Sequence, residues 1–372
     1  MKPAYVPILK AKAGEFSALK NLPPHVAARI LPMLDLPYPD AKYAGTLQDY
    51  VTKTAVNLSA VWHSRPAFID ITKWRPNARV ESGAHVLGHA LSQLISRGVQ
   101  VRPVIGYDRW DDLEYSQALR SATALYASEF CLRLDAEALV DMGDPEYFDD
   151  RLEDITSTLG LGPENCHVLI DFGDLSRSSV PDVLSRADSA VDYMRSRGYT
   201  RIVIAGGSMP AFVNEAVELP NSVGSILRIE MLAWKAMHNL HSDHELIYGD
   251  YGIRNPAAMD GIISKHNNGK IRYTVDNQFF ILRGRSKQLE RLGLQQKALS
   301  RLLAASPEYK LAAFSWGDRT IRIAADPASP YMGGPTQWIA IDTNHHIHAV
   351  LAEIYEHQTQ VSVVNALTRP LV

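Results

Sequence analysis

Eight times between Tyr5 and Asp250 the chain passes through a short apolar run, rich in β-branched residues, that ends on a charged residue or in a polar turn. The clearest copy is His167-Val-Leu-Ile-Asp-Phe-Gly-Asp-Leu175. A run of this length suits a strand buried on both faces and is too short for a helix. The copies fall at residues 5–10, 30–35, 67–71, 99–105, 130–135, 167–175, 201–207 and 246–250. Amphipathic patterns separate them, at 15–22, 46–60, 84–96, 116–127, 145–159, 180–197 and 226–238. Gly98 and Gly198 stand just beyond two of these, where a left-handed residue usually ends a helix. Strand–helix alternation with doubly buried strands implies a parallel sheet, and eight units in about 250 residues imply an α/β fold of the closed (β/α)8, TIM-barrel type. The rival, an open doubly wound sheet, lacks support because no strand leads into G-x-G-x-x-G or G-x-x-x-x-G-K.

After Tyr251 the rhythm breaks. Residues 271–282 alternate on both sides of Asp276-Asn277, which predicts a hairpin. Residues 286–305 read as an amphipathic helix with Leu289, Leu292, Leu299, Leu302 and Leu303 on its apolar stripe, a candidate for the delayed last helix of the barrel. The organisation expected is a barrel over 1–305 with a hairpin insertion at 255–285, a small α+β appendage over 306–357 packed on it, and a flexible tail at 358–372.

A hydrophobic share of 46% with 21% charged residues provides for a large core and excludes a disordered chain. The formal net charge of −3 gives no support to nucleic acid or an anionic membrane surface as partner. Cys131 and Cys166 both open apolar runs, so buried free thiols are expected and a disulfide scaffold is excluded. With no signal-peptide pattern at Met1-Lys-Pro-Ala-Tyr-Val-Pro7 and no apolar run of membrane length, a soluble, cytoplasmic protein is expected.

In barrel enzymes the reactive groups stand where strands end and βα loops begin. Those positions hold Lys10, Asp35, Asp70, Asp108, Asp135, Asp171, Asp174 and Asp250, with Arg133 just inside the fifth strand. Carboxylates gathered in a ring repel one another unless a cation, an arginine or shared protons offset the charge. A hard divalent cation, Mg2+ or Mn2+, held by Asp35, Asp70 and Asp135 would do so, with His346 as a further candidate ligand. Lys10 and Arg133 facing a phosphate-containing small molecule would then suit phosphoester or nucleotide hydrolysis, with Asp171 and Asp250 as the leading catalytic carboxylates. The bland alternative for each aspartate is a helix cap. Asn344-His-His-Ile-His348 lacks a C-x-x-C or H-E-x-x-H partner at ligand spacing, and Thr343 or Asn344 reads as a cap with His346 in the first turn. No G-x-S-x-G elbow is present.

Tyr5-Val-Pro-Ile-Leu-Lys10 with Gly14-Glu15, Pro32 with Asp35, Gly249-Asp-Tyr-Gly252, Trp316-Gly-Asp318 and Asn344-His-His-Ile347 together resemble the Beta protein family. Its founding member, from a phage satellite, is associated with suppressing killing by a neighbouring gene product, and relatives occur in mobile and defence loci. The resemblance implies an accessory or immunity protein that binds a toxic protein partner encoded in the same locus. It carries Lys10, Asp250, Tyr251, Asp318 and His346 across as motif positions without assigned roles, and Tyr251 thereby joins Lys10, Arg133, Asp171 and Asp250 in the candidate catalytic set. Whether the chain is an enzyme or a binding protein stays open at this level.

Overall fold

The computed structural model describes residues 2–125, 129–241, 245–258 and 267–368. The end of the helix expected over 116–127, part of the expected insertion, and residues 369–372 of the expected tail lie outside them. The strands are β1 (Tyr5–Lys10), β2 (Met33–Asp35), β3 (Pro66–Asp70), β4 (Gln100–Gly106), β5 (Phe130–Leu134), β6 (Cys166–Asp174), β7 (Ile202–Gly207), β8 (Ser222–Leu227), β9 (Leu246–Asp250), β10 (Asn268–Val275) and β11 (Gln278–Ser286). The helices are α1 (Ala13–Lys20), α2 (Pro24–Ala27), α3 (Leu47–Trp62), α4 (Val86–Ile95), α5 (Leu113–Leu125), α6 (Ala136–Asp141) and α7 (Pro145–Leu159). After them come α8 (Val180–Ser196), α9 (Val213–Ala216), α10 (Ile229–Leu240), α11 (Leu292–Ala304), α12 (Trp316–Ala325) and α13 (Pro335–Thr368).

Eight parallel strands close in the order β1-β2-β3-β4-β5-β6-β7-β9, and Tyr5 opposite Tyr248 and Val6 opposite Gly249 join the ends. The expected (β/α)8 barrel is the observed fold. Closure leaves the barrel no exposed edge. Its second strand is shorter than expected because Pro32, with no N–H to donate, precedes the ladder at Met33. Gly98 and Gly198 follow α4 and α8 at φ of +81° and +90°, the left-handed conformation their positions required. Thr46, Asp135, Asp144 and Ser179 each accept a backbone N–H at a helix start.

Every barrel strand sends alternate residues to two apolar layers. Val6, Ile8, Met33, Phe68, Leu169 and Ile247 fill the barrel interior. Tyr5, Leu9, Leu34, Ile69, Ile170 and Tyr248 pack outward against the helices. This parity places the chemistry described below.

The hairpin is present, Val275 pairing with Gln278 around Asp276-Asn277, with Asn277 at φ 57°. It is joined by β8, whose residues gave no strand signal in the sequence, to make the antiparallel sheet β10-β11-β8. Three further expectations are corrected. The last helix packed on the barrel is α13, whose Ile347, Val350, Leu351 and Ile354 enter the outer barrel core, whereas Leu299 and Leu303 of α11 pack on the small sheet and Leu289 and Leu302 are exposed. Among the described residues, 306–357 hold helices and no strand, and α13 continues to Thr368 where a loose tail was expected.

Candidate functional site

On β1, β2, β3, β5 and β6 the inward parity that carries Ile8, Met33, Phe68, Cys131 and Leu169 also carries Lys10, Asp35, Asp70, Arg133 and Asp171, one step nearer the strands' C-terminal ends. Register reinforces the gathering, since Lys10 lies opposite Asp35 and Asp35 opposite Asp70. The centre of the group is Arg133. Its Nε donates to Asp171 Oδ2 at 2.8 Å, and its Nη1 donates to Asp35 Oδ1 at 3.1 Å and Asp70 Oδ2 at 2.7 Å. Its Nη2 donates to the Tyr251 hydroxyl at 2.7 Å, and that hydroxyl donates to Asp171 Oδ2 at 2.6 Å. A second guanidinium, on Arg109, donates to Asp70 Oδ1 at 2.8 Å and to Asp108 Oδ1 at 3.0 Å. Sequence reasoning missed Arg109, which follows β4 in a single 3-10 turn and shows no pattern of its own.

The electrostatics follow from these partners. Burial would raise the Asp70 carboxyl, but the two guanidiniums outweigh it and hold the group down to about 2. Burial also acts on Asp35, where Arg133 and, more weakly, Lys73 offset it and neighbouring Asp70 and Asp171 add repulsion; the carboxyl is pushed up to about 6. Asp35 faces a narrow cleft, also lined by Lys10, Lys73, Tyr251 and Asn255, with about 20 Å³ of free space, room for one water-sized group. The segment after β9 closes over it: Lys10 Nζ donates to Ala258 O at 3.0 Å and Asn255 Nδ2 to Met209 O at 2.9 Å.

Asp250 does not belong to this group. It shares the outward parity of Tyr248 and lies between the barrel wall and α13. Its Oδ1 accepts from Tyr5 OH at 2.5 Å and Gly252 N at 2.9 Å, and its Oδ2 from Tyr248 OH at 2.8 Å. His346 Nε2 stands 2.9 Å from Oδ2, while His346 Nδ1 is 2.7 Å from Thr274 Oγ1. Burial lowers the His346 pKa against the pull of Asp250, and because the carboxylate can only accept, the contact places a proton on Nε2. Burial opposes the Asp250 charge, yet His346, Arg228 and the hydroxyls hold its carboxyl far below the usual range. Arg228, fully buried, donates to Tyr248 OH at 2.9 Å and to Glu353 Oε2 of α13 at 2.6 Å. The network binds the C-terminal helix to the barrel.

The set read as metal ligands is therefore not assembled. Asp35 and Asp70 share a partner, but it is the Arg133 guanidinium; Asp135 caps α6 through Ala138 N at 3.3 Å; His346 sits in the middle of α13, not in a first turn. Of the catalytic set, Lys10, Arg133, Asp171 and Tyr251 meet at the mouth and Asp250 lies outside it. Asp174 is turned to the loop, accepting from Ser176 N. Asp318 accepts from Tyr273 OH and Ser315 Oγ, both at 2.5 Å, and contacts His345 Nδ1 at 2.9 Å, which ties α12 to α13 and β10. Cys131 and Cys166 are buried and free. Among the described residues, the one trio of His, Cys, Asp or Glu close enough to share a cation is Asp188, Asp192 and His241, away from the mouth. No helix among them is long and apolar enough to cross a membrane.

The model of the Beta protein family matches residues 5–352. The chain is 24% identical over 360 residues to Protein beta of Enterobacteria phage P4, spanning 93% of this chain and 92% of that relative. Among solved structures, "PhdJ bound to substrate intermediate" aligns with 96% of this chain and 97% of its own at 10% identity and a TM-score of 0.30, too slight a likeness to carry an argument.

Proposed function

The chain belongs to the Beta protein family, and from that premise we propose that it is an accessory or immunity component of a phage–host conflict locus that works by binding a toxic protein partner. One observation carries this reading: the carboxylates at the barrel mouth already hold the Arg133 and Arg109 side chains and leave space for little more than a water. A barrel whose mouth is internally satisfied serves as a rigid body that presents its outer surface. The test is co-expression of the tagged chain with the products encoded beside it. Co-purification of one of them together with relief of its toxicity supports the proposal; recovery of the chain alone, with toxicity unchanged, overturns it.

A second reading, a metal-dependent hydrolase of a phosphoester or nucleotide, draws on Asp35. Its carboxyl, raised to about 6, faces a cleft that also holds Lys10 and Lys73, and a proton exchanged near neutrality is what general acid–base chemistry needs. Nucleotide or phosphomonoester turnover lost in Asp35→Asn would favour this reading; equal background rates in both proteins would remove it.

A further inference from the structure

On β10 the side chains alternate. Ile271 and Tyr273 enter the core shared with α11, α12 and α13, while Asn268, Lys270 and Arg272 face the other way. That second face lines a cavity of about 280 Å³ between the small sheet, the segment after β9 and the start of α13. The volume approaches that of small-molecule sites.

The cavity wall is built for a negative group. Arg272 is held by Asp342 of α13 at 3.1 Å and by Ile253 O at 3.3 Å, and Arg254 is paired with Glu15 at 2.9 Å. Lys270 completes the set, and among the described residues its ammonium has no hydrogen bond or ion-pair partner. Among the described residues, three cations thus face two carboxylates. Burial, with the nearby Arg272 charge, pushes the Lys270 ammonium down to about 8, so its surroundings disfavour the charge it carries. An unpaired, half-buried cation in a concave site costs stability that an anion returns on binding.

A second, independent observation comes from α11. Gln296, only 6% exposed, lines the same cavity and gives its Nε2 to Lys270 O at 3.1 Å, which leaves its buried Oε1 with no donor among the described residues. The N-terminus of α13 also opens here, with Gly333, Gly334 and Pro335 in the wall, and adds positive potential. Leu292 and Trp338 supply apolar surface beside them.

We propose that this cavity is a binding site for a small anionic molecule, a phosphate or carboxylate that pairs with Lys270 and carries a hydroxyl or amino donor for Gln296 Oε1. The cavity adjoins the cleft at the barrel mouth, sharing Ile253, Arg254 and Asn255 with it, and the proposal is independent of the partner proposed above.

Thermal unfolding of the full chain, at constant ionic strength set with KCl, tests the proposal with inorganic phosphate, AMP and citrate as probes. A rise in Tm with at least one probe, absent in Lys270→Met, is expected, and the probe that acts tells a phosphate head group from a carboxylate. No rise with any probe, or the same rise in the variant, overturns the assignment. A wild-type measurement covers the case in which the variant does not fold. Acylation of Lys270 by an amine reagent, followed by peptide mass spectrometry, should slow at least threefold with the active probe while exposed lysines are unaffected. Equal labelling with and without each probe overturns the assignment as well.

Discussion

Replacing Arg133 with methionine retains an unbranched side chain and deletes the charge that Asp35, Asp70 and Asp171 share. All four residues are buried, so the loss strands carboxylates in a low-dielectric interior. Removing one partner of a buried ion pair costs about 3–5 kcal/mol. That cost is expected at pH 8, where Arg109 still neutralises Asp70 but Asp35 and Asp171 have lost the guanidinium they share. Lower pH should relieve it. Without the guanidinium, the folded state holds protons on carboxyls that are ionised in the unfolded chain, so stability falls as pH rises. Each carboxyl that keeps its proton contributes about 1.4 kcal/mol per pH unit in this sense. Urea unfolding of wild type and Arg133→Met at pH 8 and pH 5.5 measures both quantities. The variant should lose at least 3 kcal/mol at about pH 8 and recover a large part at pH 5.5. A loss below about 1 kcal/mol, or an equal loss at both pH values, would refute the reasoning.

Other predictions rest on single contacts. Asp35 has a folded-state pKa of about 6 against 3.8 for the free group, so its contribution is present below pH 3.8 and is lost as pH rises through 6. Asp35→Asn should therefore flatten the stability–pH curve over that window by up to about 3 kcal/mol, measured by urea midpoints. Asp70, held at about 2, has the opposite sign, and its contribution is lost only in stronger acid. Asp250→Ala leaves Tyr5, Tyr248, Gly252 N and His346 without their shared acceptor and should cost about 3–5 kcal/mol. Hydrogen exchange should show the loss concentrated in α13, and uniform loss across the barrel would contradict the docking role. At Gly317 an added Cβ would lie 2.5 Å from Ile341 O, a backbone atom of α13 that cannot swing away. Gly317→Ala should destabilise by about 1–3 kcal/mol, and an unchanged Tm would show that the helices part freely.

The barrel was legible because each strand is a short apolar run with a helical pattern after it, and the ring of strand-end residues followed from the fold. Which way each end residue points was not legible. A strand buried on both faces shows no polar–apolar alternation, so nothing in Leu246-Ile-Tyr-Gly-Asp250 says that Asp250 faces α13 while Tyr251, one residue on, faces Arg133. The same blindness affected α13. Residues 338–354 are mostly buried, with polar Asp342, Asn344, His345 and His346 each hydrogen-bonded inside, so the segment shows no amphipathic stripe. Strand β8 was missed for a related reason, since Ser222-Val-Gly-Ser-Ile-Leu227 is short, partly exposed and rich in turn formers. The sequence reading allowed that an arginine could offset a ring of carboxylates, and Arg133 occupies that place.

Titration of Mn2+ by calorimetry at pH 7.5 into wild type and Asp35→Asn tests most directly whether the mouth carboxylates are committed to Arg133. The account predicts superimposable titrations, because no carboxylate there is free to exchange a guanidinium for a metal ion. A stoichiometric Mn2+ site in wild type that vanishes in Asp35→Asn would contradict it.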